Sequence, residues 1–221
     1  MTTPKIFGQR GLVVILWGLL LAAALAALVM GNWELGFVAL ATLALALAPV
    51  FLASRLQISL PMPFMVAVTL FIFASVFMGE AFNFYERFWW WDIALHAASS
   101  VGFGTIGFLF IFMMFAGDRY AAPPVAMAFI AFCVGVTVGT IWEIFEFAMD
   151  STFGLNMQKS GLDDTMEDLI IDAIGSGIGA CAGYIYLRGS GRGSALVKAL
   201  FGDFVERNKR LYHKSRARFR R

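Results

Sequence analysis

The chain is short of charge. Only 14% of its 221 residues are Asp, Glu, Lys or Arg, against about a quarter in water-soluble domains. Meanwhile 60% are hydrophobic and the mean hydropathy is +0.76. That deficit excludes an ordinary soluble enzyme and a disordered or collagen-like chain. Cysteine is scarce too. Cys133 and Cys181 both lie in apolar runs, so they form no disulfide framework and are expected to be small packing residues. There is no internal repeat, no Pro/Gly-rich linker, no glycine-rich phosphate loop and no Ser/His/Asp nucleophile arrangement. No organic cofactor is expected.

Long apolar runs fill the space that charge leaves. Six of them span approximately 11–30, 36–54, 61–79, 93–116, 122–149 and 166–187. Each can cross a hydrocarbon core of about 30 Å as a helix, the conformation that satisfies its own backbone in lipid. The fold class expected is an all-α polytopic membrane protein of about six transmembrane helices, with membrane lipids as partners. Prolines open segments at Pro61, Pro63, Pro123 and Pro124, whereas Pro49 falls inside the second and predicts a kink. The first run is longer than the 7–15 residues of a signal core, so it is expected to stay as a helix. Two regions follow, a membrane domain over 1–188 and a tail over 189–221.

Of the 17 cations, 15 fall at the amino terminus, around Arg55 and Arg119, or from Arg188 onward; only Arg87 and Lys159 fall on the other side. The positive-inside rule therefore places both termini in the cytoplasm. The tail carries ten cations, with Leu196, Val197, Leu200, Phe201, Phe204 and Leu211 at helical spacing. It reads as a basic amphipathic helix on anionic inner-leaflet lipids, or as a solvated topology signal. It lacks base-reading and stacking features, so no nucleic-acid partner is expected. The run Phe84, Tyr85, Phe88, Trp89, Trp90 and Trp91 reads as an interfacial aromatic belt, with a substrate-stacking role as the alternative. Glycines at 102, 104 and 107, at 135 and 139, and at 175, 179 and 183 predict close packing of the last three helices.

Acids are absent from the first three runs and crowd one end of the last three, within 92–172. At 100° per residue, Asp92 and His96 share a face, as do Glu143, Glu146 and Asp150, and as do Asp164, Asp168 and Asp172. Topology brings the three faces to one level, within about 10 Å of the interface. A carboxylate in lipid costs several kcal/mol unless paired, protonated or hydrated. His96, Glu143, Glu146, Asp168 and Asp172 are accordingly the candidate metal ligands. Asp92, Asp150, Asp164 and Glu167 are candidates for orienting or helix-capping roles, with Asp92 turning the His96 ring and Asp164 or Thr165 opening a capping box. Arg87 and Lys159 are candidate contacts for an anionic head group. The oxygen-rich set favours Mg²⁺, Mn²⁺ or Ca²⁺, while one histidine keeps Zn and Fe compatible.

The strings WDIALH, WEIFEFAMD and GLDDTMEDLIIDAIGSGIGA resemble the YjdF-like bacterial inner-membrane proteins. More distantly they resemble the VanZ-like pattern D-x-x-x-H, E-x-x-Q, D-x-x-x-N-x-x-G. The likeness covers roughly residues 60–188 and highlights Asp92, His96, Glu143, Glu146, Asp168, Asp172 and Gly175. Glu146 stands where the VanZ-like pattern has glutamine, and Asp172 where it has asparagine; the more acidic site favours a cation. The VanZ-like association with glycopeptide resistance implies an envelope or lipid-linked substrate. Three functions stay open at this point: a cation-binding protein acting on such a substrate, a proton or cation transporter, and a non-catalytic accessory subunit with a membrane-protein partner. Whether the chain is an enzyme is left open with them.

Overall fold

The computed structural model describes residues 3–115, 122–188, 202, 204 and 206–208. Among the described residues every regular element is helical and there is no strand. Six stretches are long and apolar enough to cross a membrane, as expected: Gly8–Val29, Trp33–Leu56, Met62–Ala81, Trp91–Phe115, Pro124–Phe153 and Leu162–Leu187. Large apolar side chains face outward along all of them, for example Ile15, Phe37, Phe110, Ile144 and Ile174, each more than half exposed. Such a surface suits lipid rather than water.

The chain forms two compact units. The first holds α1 (Thr3–Val29), α2 (Trp33–Leu56), α3 (Met62–Ile72) and the short α4 (Phe84–Arg87). Gly31, at φ 72°, reverses the chain, and Asn32 caps α2 by accepting from the Leu35 amide at 3.1 Å. Leu20 and Ala24 of α1 then pack on Ala39 of α2 and Phe77. α2 runs through Pro49 as one helix. The third span departs from the regular helix expected: beyond Ile72 it continues as a π-helix over Phe73–Ala81. From there an aromatic chain runs Phe73, Phe77, Phe82, Phe84 and Trp91. Trp89 is 83% exposed at its edge, as an interfacial belt requires. Asn208, from the tail, is buried against the α2–α3 loop, accepting from the Ser59 amide at 2.8 Å and donating to its carbonyl at 2.9 Å. The rest of the amphipathic helix expected over 189–221 lies largely outside the described residues.

The second unit is built from α5 (Trp91–Phe115), α6 (Pro124–Phe153) and α7 (Leu162–Leu187). Small residues let these backbones touch. A methyl on Gly104 would stand 2.5 Å from the Ser176 carbonyl, and one on Gly179 would stand 2.5 Å from the Val101 carbonyl. Gly102 departs from the packing expected, with open space where its Cβ would be. Cys133 and Cys181 also correct the reading from sequence: both are exposed rather than packed. Each stands two residues from an interfacial glycine (Gly135 and Gly179), which is about 200° around the helix and hence on the opposite face. At the far end Phe108, Ile111, Met127, Ala131 and Ala180 form a dry core.

Substituting alanine separates the two kinds of glycine. Gly179→Ala is expected to destabilise the detergent-solubilised protein by about 1–3 kcal/mol through overpacking. Gly102→Ala should stabilise it by about 0.5–1 kcal/mol through helix propensity. Thermal unfolding of both variants against wild type checks the contrast.

Candidate functional site

Three helical stripes descend side by side in the second unit. On α5 the four-residue steps run Asp92, His96, Ser100, Gly104 and Phe108; on α7 they run Asp164, Asp168, Asp172, Ser176 and Ala180; on α6 Glu143 is followed by Gly139, Gly135 and Ala131 toward the helix start. Acids and histidine thus occupy one end, hydroxyls the middle and an apolar plug the other. Phe108 is fully buried and Gly183 lies against its ring, closing the stripe.

His96 is the centre of the polar end. Its Nε2 stands 3.8 Å from Glu143 Oε1, 3.8 Å from Asp168 Oδ2 and 3.9 Å from Asp92 Oδ1. Its Nδ1 faces both oxygens of Asp172 at 3.4 Å. Glu143 and Asp168 are 4% and 2% exposed, yet neither Glu143 oxygen has a hydrogen-bond partner, nor has Asp168 Oδ2. The Thr165 hydroxyl lies beside Glu143 and accepts from Gln158 Nε2 at 2.6 Å.

One ligand atom each from His96, Glu143 and Asp168 lies within 4.8 Å of the other two. His96 Nε2 stands 3.8 Å from Glu143 Oε1 and from Asp168 Oδ2, a separation that two ligand atoms can have when each bonds one ion at about 2–2.5 Å, the range of metal–nitrogen and metal–oxygen bonds. Space for the acids comes from α6, because a methyl on Gly139 would fall on the Asp172 carboxylate. Gly139 had a sequence signal, being one turn from Glu143, but it read only as packing.

The remaining candidates divide. Glu146 is buried but accepts from Trp142 Nε1 at 2.9 Å, and with Asp172 it lies outside the ligand-distance groups. Asp172 and Asp92 stand at opposite nitrogens of His96: Asp172 faces Nδ1 and Asp92 faces Nε2. Asp164 is no helix cap. α7 begins one turn earlier than a cap there would allow, after Gly161, whose φ 70° and ψ −120° favour glycine, and no side chain caps it. Thr165 already lies in the first turn, its amide bonded to the Gly161 carbonyl. Asp164 joins Asp92 and Asp168 in a second group within 4.8 Å. Glu167 is exposed. Asp150 pins the 154–161 loop by accepting from the Met157 and Gln158 amides at 2.8 and 2.9 Å. That loop delivers Lys159 to Asp92, with Nζ 2.9 Å from Oδ2, so Lys159 meets an acid of the site itself. Arg87 is exposed on α4 in the other unit.

These features define a polytopic helical membrane protein with a buried histidine–carboxylate cluster in its last three helices. The chain belongs to the family described as "Predicted membrane protein (DUF2238)", whose model matches residues 9–189. An uncharacterised protein of Thermotoga maritima is 36% identical over 104 residues, 47% of this chain and 53% of that relative. The chain therefore aligns with about half the length of the curated relative. No solved structure matches it.

Glu143 supplies a test of the cluster's electrostatics. With chelator present, Glu143→Gln should raise unfolding stability by about 1–3 kcal/mol, because a buried carboxylate without a partner is replaced by a neutral isostere. Loss of stability on that substitution would mean that the carboxylate is internally compensated.

Proposed function

We propose that the last three helices hold a divalent cation between His96, Glu143 and Asp168, at the level of one membrane surface, and that this site acts on an envelope or lipid-linked substrate. The observation that carries the reading is three ligand atoms within 4.8 Å of one another, from a histidine and two buried carboxylates with unpartnered oxygens. An acidic cluster held together by its own hydrogen bonds would close to about 2.7–3.0 Å. Asp172 orients the ring through Nδ1, so that Nε2 presents its lone pair to the ion. Bound there, a divalent ion supplies Lewis acidity toward an oxygen of the substrate. The chain's own part is to hold the ligands at the open end of a cup sealed below by Gly183 and Phe108, and to exclude water from one side of it.

The same stripe speaks against the transporter reading. Below Asp172 the polar path consists of Ser100 and Ser176 and then ends on Phe108. In the positive-inside orientation the site faces outward, both termini are cytoplasmic and the basic tail lies against anionic inner-leaflet lipids. The VanZ-like motif likeness supports an envelope or lipid-linked substrate.

Elemental analysis of purified protein tests the reading. Wild type should carry close to one divalent ion per chain after dialysis against Mn²⁺ or Mg²⁺. His96→Ala and Asp168→Asn should each lower affinity by about 10–100-fold or more, as loss of a supporting or direct ligand does. No bound ion in wild type would sink the proposal.

A further inference from the structure

The three-atom site leaves the second acidic group unexplained. One oxygen each from Asp92, Asp164 and Asp168 lies within 4.8 Å of the others, closer to the helix ends than Glu143. Asp168 belongs to both groups, is 2% exposed and has an oxygen without a partner. A carboxylate has two oxygens and can serve two ions at once. A cation already stands beside the second group: the Lys159 ammonium, 2.9 Å from Asp92 Oδ2.

Charge points the same way. Asp92, Glu143, Glu146, Asp164, Asp168 and Asp172 supply six negative charges when ionised, with His96 neutral as a ligand must be. One divalent ion with the Lys159 ammonium balances three of them. Two divalent ions balance four. Lys159 is a compact charge on a flexible stem and its side chain is 27% exposed, so it can leave for solvent without breaking the helices. The loop that carries it is anchored independently through Asp150.

We propose that Asp92, Asp164 and Asp168 form a second divalent-cation position, joined to the first through Asp168, and that Lys159 is a tethered ammonium that gives way when the second ion arrives. The inference rests on the reading of His96, Glu143 and Asp168 as the first position. The all-oxygen donor set selects hard ions such as Mg²⁺, Mn²⁺ and Ca²⁺ for the second. A pair of ions on a shared carboxylate clamps a substrate that offers two oxygens, as a phosphoryl or carboxyl group does.

Mn²⁺ titration of the purified full chain, followed by electron paramagnetic resonance, tests this with wild type, Lys159→Gln and Asp164→Asn. Wild type should bind one Mn²⁺ tightly and a second at least about tenfold more weakly. Lys159→Gln should tighten the second by about tenfold or more, because the competing charge is gone, while changing the first by less than about threefold. At saturation the spectrum should show a spin-coupled pair. Asp164→Asn should lose the coupling and the second ion but keep the first. A single Mn²⁺ at saturation in both wild type and Lys159→Gln, or two uncoupled ions, would overturn the inference and leave the first position standing. Absence of any bound Mn²⁺ from wild type would contradict both.

Discussion

A buried charge must be compensated, and the last three helices are arranged around that requirement. Glu143 and Asp168 are held beside His96, with both Glu143 oxygens and Asp168 Oδ2 buried without a hydrogen-bond partner. In an apolar bundle such groups persist only when something balances them. The backbone approaches at Gly104, Gly139 and Gly179 draw α5, α6 and α7 close enough for side chains from three separate segments to converge. Without those approaches the acids would reach different neighbours. The 154–161 loop serves the same end, since Asp150 and Gly161 shape it so that Lys159 comes down on Asp92.

The direction of the polar stripe narrows what the cluster can do. Carboxylates give way to serine hydroxyls and then to Phe108, with the Gly183 backbone against the ring. The polar cluster occupies one end of the three helices. It offers no charged relay toward the opposite end of the helices. The exposed isoleucines on α7, Ile170, Ile174 and Ile178, stand on the reverse face of the helix from Asp168, Asp172 and Ser176. One helix thus turns apolar side chains outward on one side and buries its acids on the other.

Much of this was legible in the residues. Runs of about 20 apolar residues announce six spans because lipid leaves the backbone no other solution. The 100° periodicity of Asp164, Asp168 and Asp172 likewise places them on one face. Ring orientation was not legible, since a helical wheel ranks faces but not the rotation of an imidazole, so which nitrogen meets Asp92 and which meets Asp172 comes only from the structure. The Lys159–Asp92 pair depends on loop geometry set by Asp150 and Gly161, contacts that no local pattern encodes. Glu146 looked equivalent to Glu143, but Trp142, four residues before it, takes it as a hydrogen-bond partner. The π-helix over Phe73–Ala81 has no sequence signature, because its apolar side chains suit an α-helix equally well.

The central claim is that the His96 ring and two unpartnered carboxylates surround a divalent ion. Pulsed resonance on Mn²⁺-loaded protein tests it most directly, by detecting nitrogen nuclei bound to the ion. The account predicts coupling to one imidazole nitrogen, which disappears in His96→Ala and persists in Trp142→Phe. Bound Mn²⁺ without nitrogen coupling, or coupling that survives His96→Ala, would contradict it.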